Sequence, residues 1–557
     1  MPPRCRLRAS GMAQSSVAAA ILYADGLHAS NMQQSLIVEA TQRPQEDDSE
    51  WRLKFSPGWT VFALVFLGSA LYLWSIHLEY LSVFDSLNFA YSLKRFNTFL
   101  HMPQPPGYPG FVLIARLFHK AIPTAISTFF AVGIVASLAT SLLTAKLGEM
   151  LASARAGLAA AVLIMLHPAT LSSIVVSPVR IFLGLVSAGV ACVAWRMWTH
   201  PYEKWSLYAA WAALGVGSSF RPELAVFLFP LVFIASIRQR HSWRALVPAV
   251  LLFAACVFLW VKPTARPGGG IIVYFKFLRD HFAYQASLAT AANGRGGTNA
   301  FWHMVLEASV WTFMGVAAWV WAVPAMIRRG WTLGRPRIVF FLLWFLPGYS
   351  FHCLFHIAAP GHALSTITTL CVLGGLALGS FRKNWLFVGG LIIASVINVL
   401  LYINPIMWSD GSPEWVKFTN GTINPPMRQL EAVTAEKDTF LIVNGGGAIS
   451  WRVLRYYFAD TPLLSLEAGM VPSCPQCATY FSAATAYAPS PIHGTIPVPD
   501  CGRIVWDINF AVPDSLKNEI DKTATGPLPI ILAKPGLSFD LPGMHFESGL
   551  PGFCSQN

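Results

Sequence analysis

The sequence predicts a polytopic α-helical membrane protein of about 11 transmembrane helices, with a small α/β domain at its C-terminal end. Three observations carry this. Of 557 residues, 54% are hydrophobic and only 12% are charged, whereas a soluble domain carries about a quarter charged residues. Apolar runs long enough to cross a bilayer recur between residues 57 and 403. From residue 404 onward Pro, Gly and polar residues rise, and short strand-like runs replace the long apolar ones.

Residues 1–56 read as a cytoplasmic, disordered tail. The apolar stretch Val17–Tyr23 is too short for a signal peptide's core with a cleavage site. Met32 offers an alternative start. Expected spans lie near 57–78, 123–146, 156–175, 178–198, 205–220, 222–237, 244–262, 302–325, 337–358, 361–379 and 384–403. Residues 107–120 are too short to cross, and Arg116, His119 and Lys120 interrupt them, which predicts an interfacial helix.

The formal net charge is +12. No basic run is interleaved with exposed aromatics, which argues against a nucleic-acid partner. In a membrane protein such an excess is topological, because Lys and Arg hold loops on the cytoplasmic side. Arg382-Lys383, Arg328-Arg329 and the cluster Arg238, Arg240 and Arg244 mark cytoplasmic loops. Counting back from them places the N-terminus inside only if 107–120 does not cross. The first loop, about 79–122, then faces outward with the segment after Tyr402. A bacterial inner membrane is the expected location, and its lipids are expected partners.

That first loop holds the most informative pattern. Phe84–Phe99 spaces apolar residues on one helical face, with Asp85 at its start. An Asp there is either an N-cap or a carboxylate with a tuned pKa that can serve as a general base. Pro105-Pro106 forbids helix, and Gly107 permits a sharp turn before Tyr108-Pro109.

Asp85 with Asn88-Phe89-Ala90, followed by Gln104-Pro105-Pro106-Gly107-Tyr108-Pro109, resembles the first outer loop of the GT-C superfamily. Within it the pattern is similar to the protein-mannosyltransferase-like and aminoarabinose-transferase-like branch, glycosyltransferase family 39-type. Gly217–Pro222 also resembles that group's Gly-x-x-x-Arg-Pro helix end. Two departures leave the sugar open: Asp85 stands alone instead of in an acidic pair, and Gln104 replaces the usual His. The resemblance implies a transmembrane catalytic domain over 57–403 and a polyprenyl-phosphate sugar donor. It also implies that Asp85 deprotonates or orients an extracytoplasmic acceptor.

A departing lipid phosphate needs cations, since charge develops there in the transition state. Arg221, Lys262, Arg266 and Arg279 are candidates, with Lys94 and Arg95 behind Asp85; each could equally contact lipid headgroups. Gln104 and Tyr108 join them as candidate substrate contacts. His356 and His362 are candidate phosphate contacts. His352 and His356 have helical metal-ligand spacing but lack an acidic third ligand, so no metal site is assigned. No cofactor is implied with certainty, and a divalent metal stays open. The loop 263–301, with glycines at both ends, reads as a flap over the site.

In residues 404–557, Thr439–Val443, Leu463–Leu466, Ile504–Ile508 and Ile530–Ala533 read as strands, with 448–458 a helix after Gly445-Gly446-Gly447. Cys474, Cys477, Cys501 and Cys554 all fall here, which favours structural disulfides in an exported domain over a Cys474–Cys477 redox or zinc pair. The function predicted is transfer of a sugar from a polyprenyl-phosphate donor to a glycan, lipid or protein. The alternatives are a transporter or lipid flippase, or a non-catalytic assembly subunit. A transporter calls for charged or broken helices near the bilayer midplane, whereas the charges here collect at span ends.

Overall fold

The structure is a computed structural model. It describes residues 57–238, 243–289, 297–329, 334–355, 359–407, 409–435, 438–444, 449–468, 476–481, 490–492, 495–508, 511–541 and 544–550. The described residues belong to one compact unit. The expected tail 1–56, the Gly445–Gly447 turn, His356, Cys474 and Cys554 lie outside the described residues.

Each expected span is helical, nine as one main helix and two as bent pairs, and the lengths sharpen the picture. Among the described residues seven helices are long and apolar enough to cross a membrane, or up to nine if two bent pairs each count as one. The helices Lys204–Gly217 and Glu223–Arg238, with 14 and 16 residues, fill the remaining two expected positions. This is a multi-pass membrane protein.

The bends have local causes. The predicted span 156–175 is two helices, Ala154–Met165 and Pro168–Val176, meeting at 47°. Pro168 lacks an N–H for the preceding helix. The His167 ring nitrogen instead accepts the Ala169 N–H at 3.2 Å and starts a new helix. The predicted span 302–325 also breaks, with its two parts at 52°. There Gly315 lies against the His167 ring, where a Cβ would overlap it. The two breaks therefore pack on each other.

The first loop folds as two short helices, Phe84–Lys94 and Pro109–His119. The first stops five residues short of Phe99. Arg95 turns extended at φ −133°, and Asn97 caps the next turn by accepting the Phe99 N–H. Arg116 fastens the second helix to the first, donating to the Ser92 carbonyl at 2.7 and 3.0 Å. Between them the Met102–Pro103 and Pro105–Pro106 peptides are cis. Gly107 has φ +111°.

The expected flap 263–301 contains helix Ile271–Ala289, with the start of Gly297–Phe313 after it. The first of these packs on the proline hinge. Tyr274 is fully buried and donates to the Pro106 carbonyl at 2.6 Å. Phe277 stacks on Phe99 at 4.6 Å.

The described strands of the C-terminal region form two sheets. One has strand order β4-β3-β2-β1-β6-β7 and the other β5-β9-β8. Here β1 is Thr439–Asn444, β2 Leu463–Ala468, β3 Gln476–Phe481, β4 Ser490–Ile492, β5 Thr495–Val498, β6 Arg503–Asp507, β7 Ile530–Leu532, β8 Ser538–Leu541 and β9 Met544–Ser548. Strand β1 runs parallel to both β2 and β6. Phe440, Ile442, Ile504 and Trp506 on one sheet share a core with Ile496, Phe539 and Phe546 on the other. Leu441 and Val443 on the opposite face of β1 are buried too, as expected of a parallel strand covered on both sides. Cys501 is disulfide-bonded, in accord with the disulfide reading.

One prediction concerns the hinge. A Cβ on Gly107 would lie 2.5 Å from the Thr98 methyl and 2.8 Å from the Thr264 methyl. Its positive φ adds a backbone penalty for any L side chain. Gly107→Ala is expected to lower the unfolding temperature in detergent by several degrees. Gly389→Ala, in open space on a helix, should leave it unchanged or raise it slightly. Equal melting of the two variants would contradict the crowding at the hinge.

Candidate active site

Three segments converge on the C-terminal end of helix Pro168–Val176. Ser86, next to Asp85, donates its hydroxyl proton to the Val176 carbonyl. Gly411, next to Asp410, packs so closely that a Cβ would stand 2.5 Å from the Ser172 carbonyl and 2.8 Å from a Val176 methyl. After the Ser177-Pro178 turn comes Arg180. Gly361 in turn lies against Arg180, where a Cβ would be 2.7 Å from its Cδ. Contacts of their neighbours thus bring Asp85 and Asp410 to the helix end that precedes Arg180.

Asp85 is not the N-cap. That position is Val83, which makes no side-chain cap, and Asp85 lies in the first turn. Its charge is favourable to the helix dipole there, while its carboxylate stays half-buried. Asp85 acts electrostatically on Arg180, Arg221, Tyr108 and Asp410. Burial pushes the Asp410 carboxyl above the usual carboxylate range; Arg180 draws it back and Asp85 adds to the rise.

Arg180 is the most constrained charge of the group. Its side chain is 6% exposed. Both Asp85 and Asp410 attract it, and Arg221 repels it. Its Nε has no hydrogen-bond partner among the described residues. A buried donor left unmade costs about 1–3 kcal/mol, and more when it belongs to a charged group. Such a group is suited to an oxyanion that completes its bonds.

Arg221 stands beside it. Gly110 donates its N–H to the Ser219 carbonyl at 3.0 Å, joining the Gly217–Pro222 helix end to the second loop helix. This sets the Arg221 guanidinium 5.2 Å over the Tyr108 ring. Glu223 pairs with Arg221 at 2.5 Å. Burial works against the Arg221 charge, but Glu223, Tyr108 and Asp85 outweigh it, and the guanidinium holds its proton more firmly than usual. The Tyr108 phenol is buried and its ionisation is pushed up accordingly. Tyr108 is therefore a neutral hydroxyl donor.

The other candidates divide. Gln104 is half-buried on the hinge, and its Oε1 has no hydrogen-bond partner among the described residues. His362 is buried on the same turn as Gly361, which rests on Arg180. Lys94 is exposed with its ammonium 5.9 Å from the Tyr456 ring, and exposed Arg95 ends the first loop helix. Lys262, Arg266 and Arg279 are exposed, as Lys94 and Arg95 are. Helix Ile271–Ala289 turns Tyr274 and Phe277 toward the hinge, and Arg279 pairs with its neighbour Asp280 at 2.8 Å. Among the described residues no group of three or more His, Cys, Asp or Glu could hold a metal ion.

The clamp on the Asp85 helix comes from far along the chain. Arg452, on helix Trp451–Tyr457, donates to Asn88 at 2.8 Å and to the carbonyls of Leu100 and His101 at 3.3 and 2.8 Å. Its guanidinium also lies over the rings of Phe84 and Tyr91. Tyr91 returns a bond to the Arg452 carbonyl at 2.8 Å. Leu81 donates its N–H to the Tyr457 hydroxyl at 2.7 Å. Glu79 pairs with Arg428, but that pair is exposed and contributes little. His101 is held neutral, its pKa lowered to about 4 by burial, by Arg452 and by His281.

No protein-family model matches the sequence, and no curated protein matches it. Solved structures do. The crystal structure of ArnT from Cupriavidus metallidurans bound to undecaprenyl phosphate aligns with a TM-score of 0.52 at 14% identity, over 73% of this chain and 86% of that one. Its apo state aligns with a TM-score of 0.51 at 13% identity, over 86% of this chain and 99% of that one. The chain has the ArnT fold. The GT-C-like architecture expected from the first loop is therefore the observed one. At this identity the likeness concerns the fold.

Arg452 generates a prediction that needs no substrate. Charge-assisted hydrogen bonds contribute about 1.5–3 kcal/mol each, against about 0.5–1 for an exposed cation–π contact. The bonded fork therefore dominates. In Arg452→Ala, amides of residues 84–104 should exchange with deuterium faster than in the wild type. Arg452→Lys should restore only part of the protection, because an ammonium cannot reproduce the planar fork. Unchanged exchange in the alanine variant would rule out the clamp.

Proposed function

We propose that this protein is a membrane glycosyltransferase that moves a sugar from a polyprenyl-phosphate donor to an acceptor outside the cytoplasm. The observation that carries the reading is the group Asp85, Arg180, Arg221 and Tyr108 on a fold shared with a protein crystallised with undecaprenyl phosphate. Asp85 takes the proton of the acceptor hydroxyl. The hydroxyl oxygen forms a bond to the anomeric carbon, and the bond from that carbon to the phosphate oxygen breaks. Polyprenyl phosphate leaves with the electron pair. Arg180 and Arg221 hold the charge that develops on it, and a preorganised cation is worth more there than in solution.

The charge pattern supports an inner-membrane orientation with the N-terminus cytoplasmic and residues 404–557 outside. In this arrangement residues 57–403 carry the chemistry. Residues 404–557 hold the first loop through Arg452 and offer a surface to the acceptor. Lipid, glycan and protein acceptors all present the hydroxyl that the reaction needs.

Purified protein in proteoliposomes, supplied with radiolabelled polyprenyl-phosphate sugars and envelope acceptors, should transfer label. Asp85→Asn keeps the shape but removes the base, and should lower transfer about a hundredfold or more. An Asp85→Asn variant with full activity would overturn the assignment.

Binding tests the cations separately. Arg180→Ala and Arg221→Ala should each weaken equilibrium binding of undecaprenyl phosphate about tenfold or more, since each loses a charge-assisted contact. Unaltered affinity in both variants would remove the phosphate role from this cluster.

A further inference from the structure

The end of the bundle away from Asp85 holds a groove that the transfer reaction does not use. Helices Ile181–Thr199 and Glu223–Arg238 begin directly after Arg180 and Arg221 Pro222 and run away from the site. Helix Arg335–Leu354 runs back toward it, since His352 near its end meets Phe227 near the start of Glu223–Arg238, ring to ring at 5.6 Å. Trp198 is the last residue but one of its helix, about 25 Å along it at 1.5 Å per residue. The groove lies there, between the three helix ends, with a volume of about 480 Å³. Ile234, Ile237 and Val339 give it an apolar wall, and Arg238 and Arg335 line it as well.

Its charge is one-sided. No described acidic residue lines it. Glu203 and Glu149 are engaged elsewhere, with Arg196 at 2.7 Å and Lys146 at 3.7 Å. Trp198, which also lines the groove, supplies an independent observation. It is 7% exposed, yet its Nε1–H has no hydrogen-bond partner among the described residues. An indole N–H can only donate, and a buried donor left unmade is costly. The Arg238 guanidinium lies 4.9 Å from the centre of the Trp198 ring. A face contact of this kind leaves its in-plane N–H groups for another acceptor.

Two cations, one unmade donor and an apolar wall match the two halves of a lipid. We propose that this groove binds one anionic phospholipid of the surrounding bilayer, with its phosphate between Arg238, Arg335 and the Trp198 Nε1–H and an acyl chain along Ile234, Ile237 and Val339. The inference stands apart from the glycosyl-transfer reading. Guanidinium groups suit phosphate oxygens, and basic pockets between membrane helices hold anionic headgroups. A zwitterionic headgroup fits less well, because its own cation meets two arginines and no acid. The bound anion also offsets the repulsion between Arg238 and Arg335, and so ties the ends of their two helices together.

The test is native mass spectrometry of the purified, delipidated full chain with phosphatidylglycerol or phosphatidylcholine of identical acyl chains. Phosphatidylglycerol should fill one site about tenfold or more tightly than phosphatidylcholine. Arg238→Ala combined with Arg335→Ala should lose this preference; both side chains are exposed, so the change leaves the core intact. Trp198→Phe keeps a ring in the wall but removes the donor, and should weaken phosphatidylglycerol binding several-fold. Arg382→Ala, an exposed cation outside the groove, should keep the preference. Arg180→Ala should keep it too, which separates this lipid from one held at the Asp85 site.

Equal affinity of the wild type for the two lipids would overturn the proposal, as would a preference that survives loss of both groove arginines. If Arg382→Ala loses as much as the double variant, the attraction is general surface charge and the groove has no part. If Arg180→Ala alone abolishes the preference, the lipid sits at the other site. Glycerol phosphate has the headgroup chemistry without chains. Displacement of phosphatidylglycerol by an equal concentration of it would reduce the groove to a simple anion contact and overturn the lipid assignment.

Discussion

A guanidinium nearly withdrawn from water has to be compensated, and much of the site follows from compensating Arg180. Burying an isolated charge costs several kcal/mol even after relaxation. Arg180 stands at the head of the apolar helix Ile181–Thr199 and is 6% exposed. Its counter-charges cannot come from that helix, which carries no acidic residue. They come instead from Asp85, nearly a hundred positions earlier, and Asp410, more than two hundred later. The chain must fold as a whole for this arginine to be tolerated. The same requirement leaves a cation with an unfilled donor beside a half-buried carboxylate.

The second dependence is mechanical. The loop that carries Asp85 has only short helices of its own, Phe84–Lys94 and Pro109–His119, and short helices are marginal without packing. It borrows rigidity from two directions. Tyr274 and Phe277 brace the proline hinge from one side. Arg452, Tyr456 and Tyr457 brace the first helix from the other. The C-terminal sheets are thus structurally coupled to the first loop, although the two are far apart in sequence. The region read from the flanking glycines as a flap contributes a packed helix to the wall.

Some of the site was legible in the sequence because its signals are local. Asp85 follows the first span, and Pro105-Pro106-Gly107 punctuates the loop. Arg221 ends a helix in a Phe-Arg-Pro-Glu turn, where a nearby carboxylate is part of the same few residues. Arg180 was missed because it lies in Pro-Val-Arg-Ile, inside a stretch read as the start of a span. The signal was available: one uncompensated charge at the edge of an otherwise neutral apolar run is costly and asks for a partner. Asp410 had no such signal, since a linker acid after a helix is ordinary. Lys262, Arg266 and Arg279 were candidates by position alone, and the structure leaves all three exposed.

The sequence by itself determined what depends on composition and period. Low charge and recurrent apolar runs required many membrane helices, and short apolar runs between turn residues after residue 404 pointed to strands. The turn chemistry of Gly107 and the carboxylate at Asp85 were also local facts. The tertiary structure alone decided which charges meet. Electrostatic energy inside a protein depends on distance and burial, and neither is written in the spacing of residues 85, 180, 221 and 410. It also decided that the spans near 156–175 and 302–325 break. Pro168 allows a bend anywhere it occurs, but the close packing of Gly315 on His167 fixes this one.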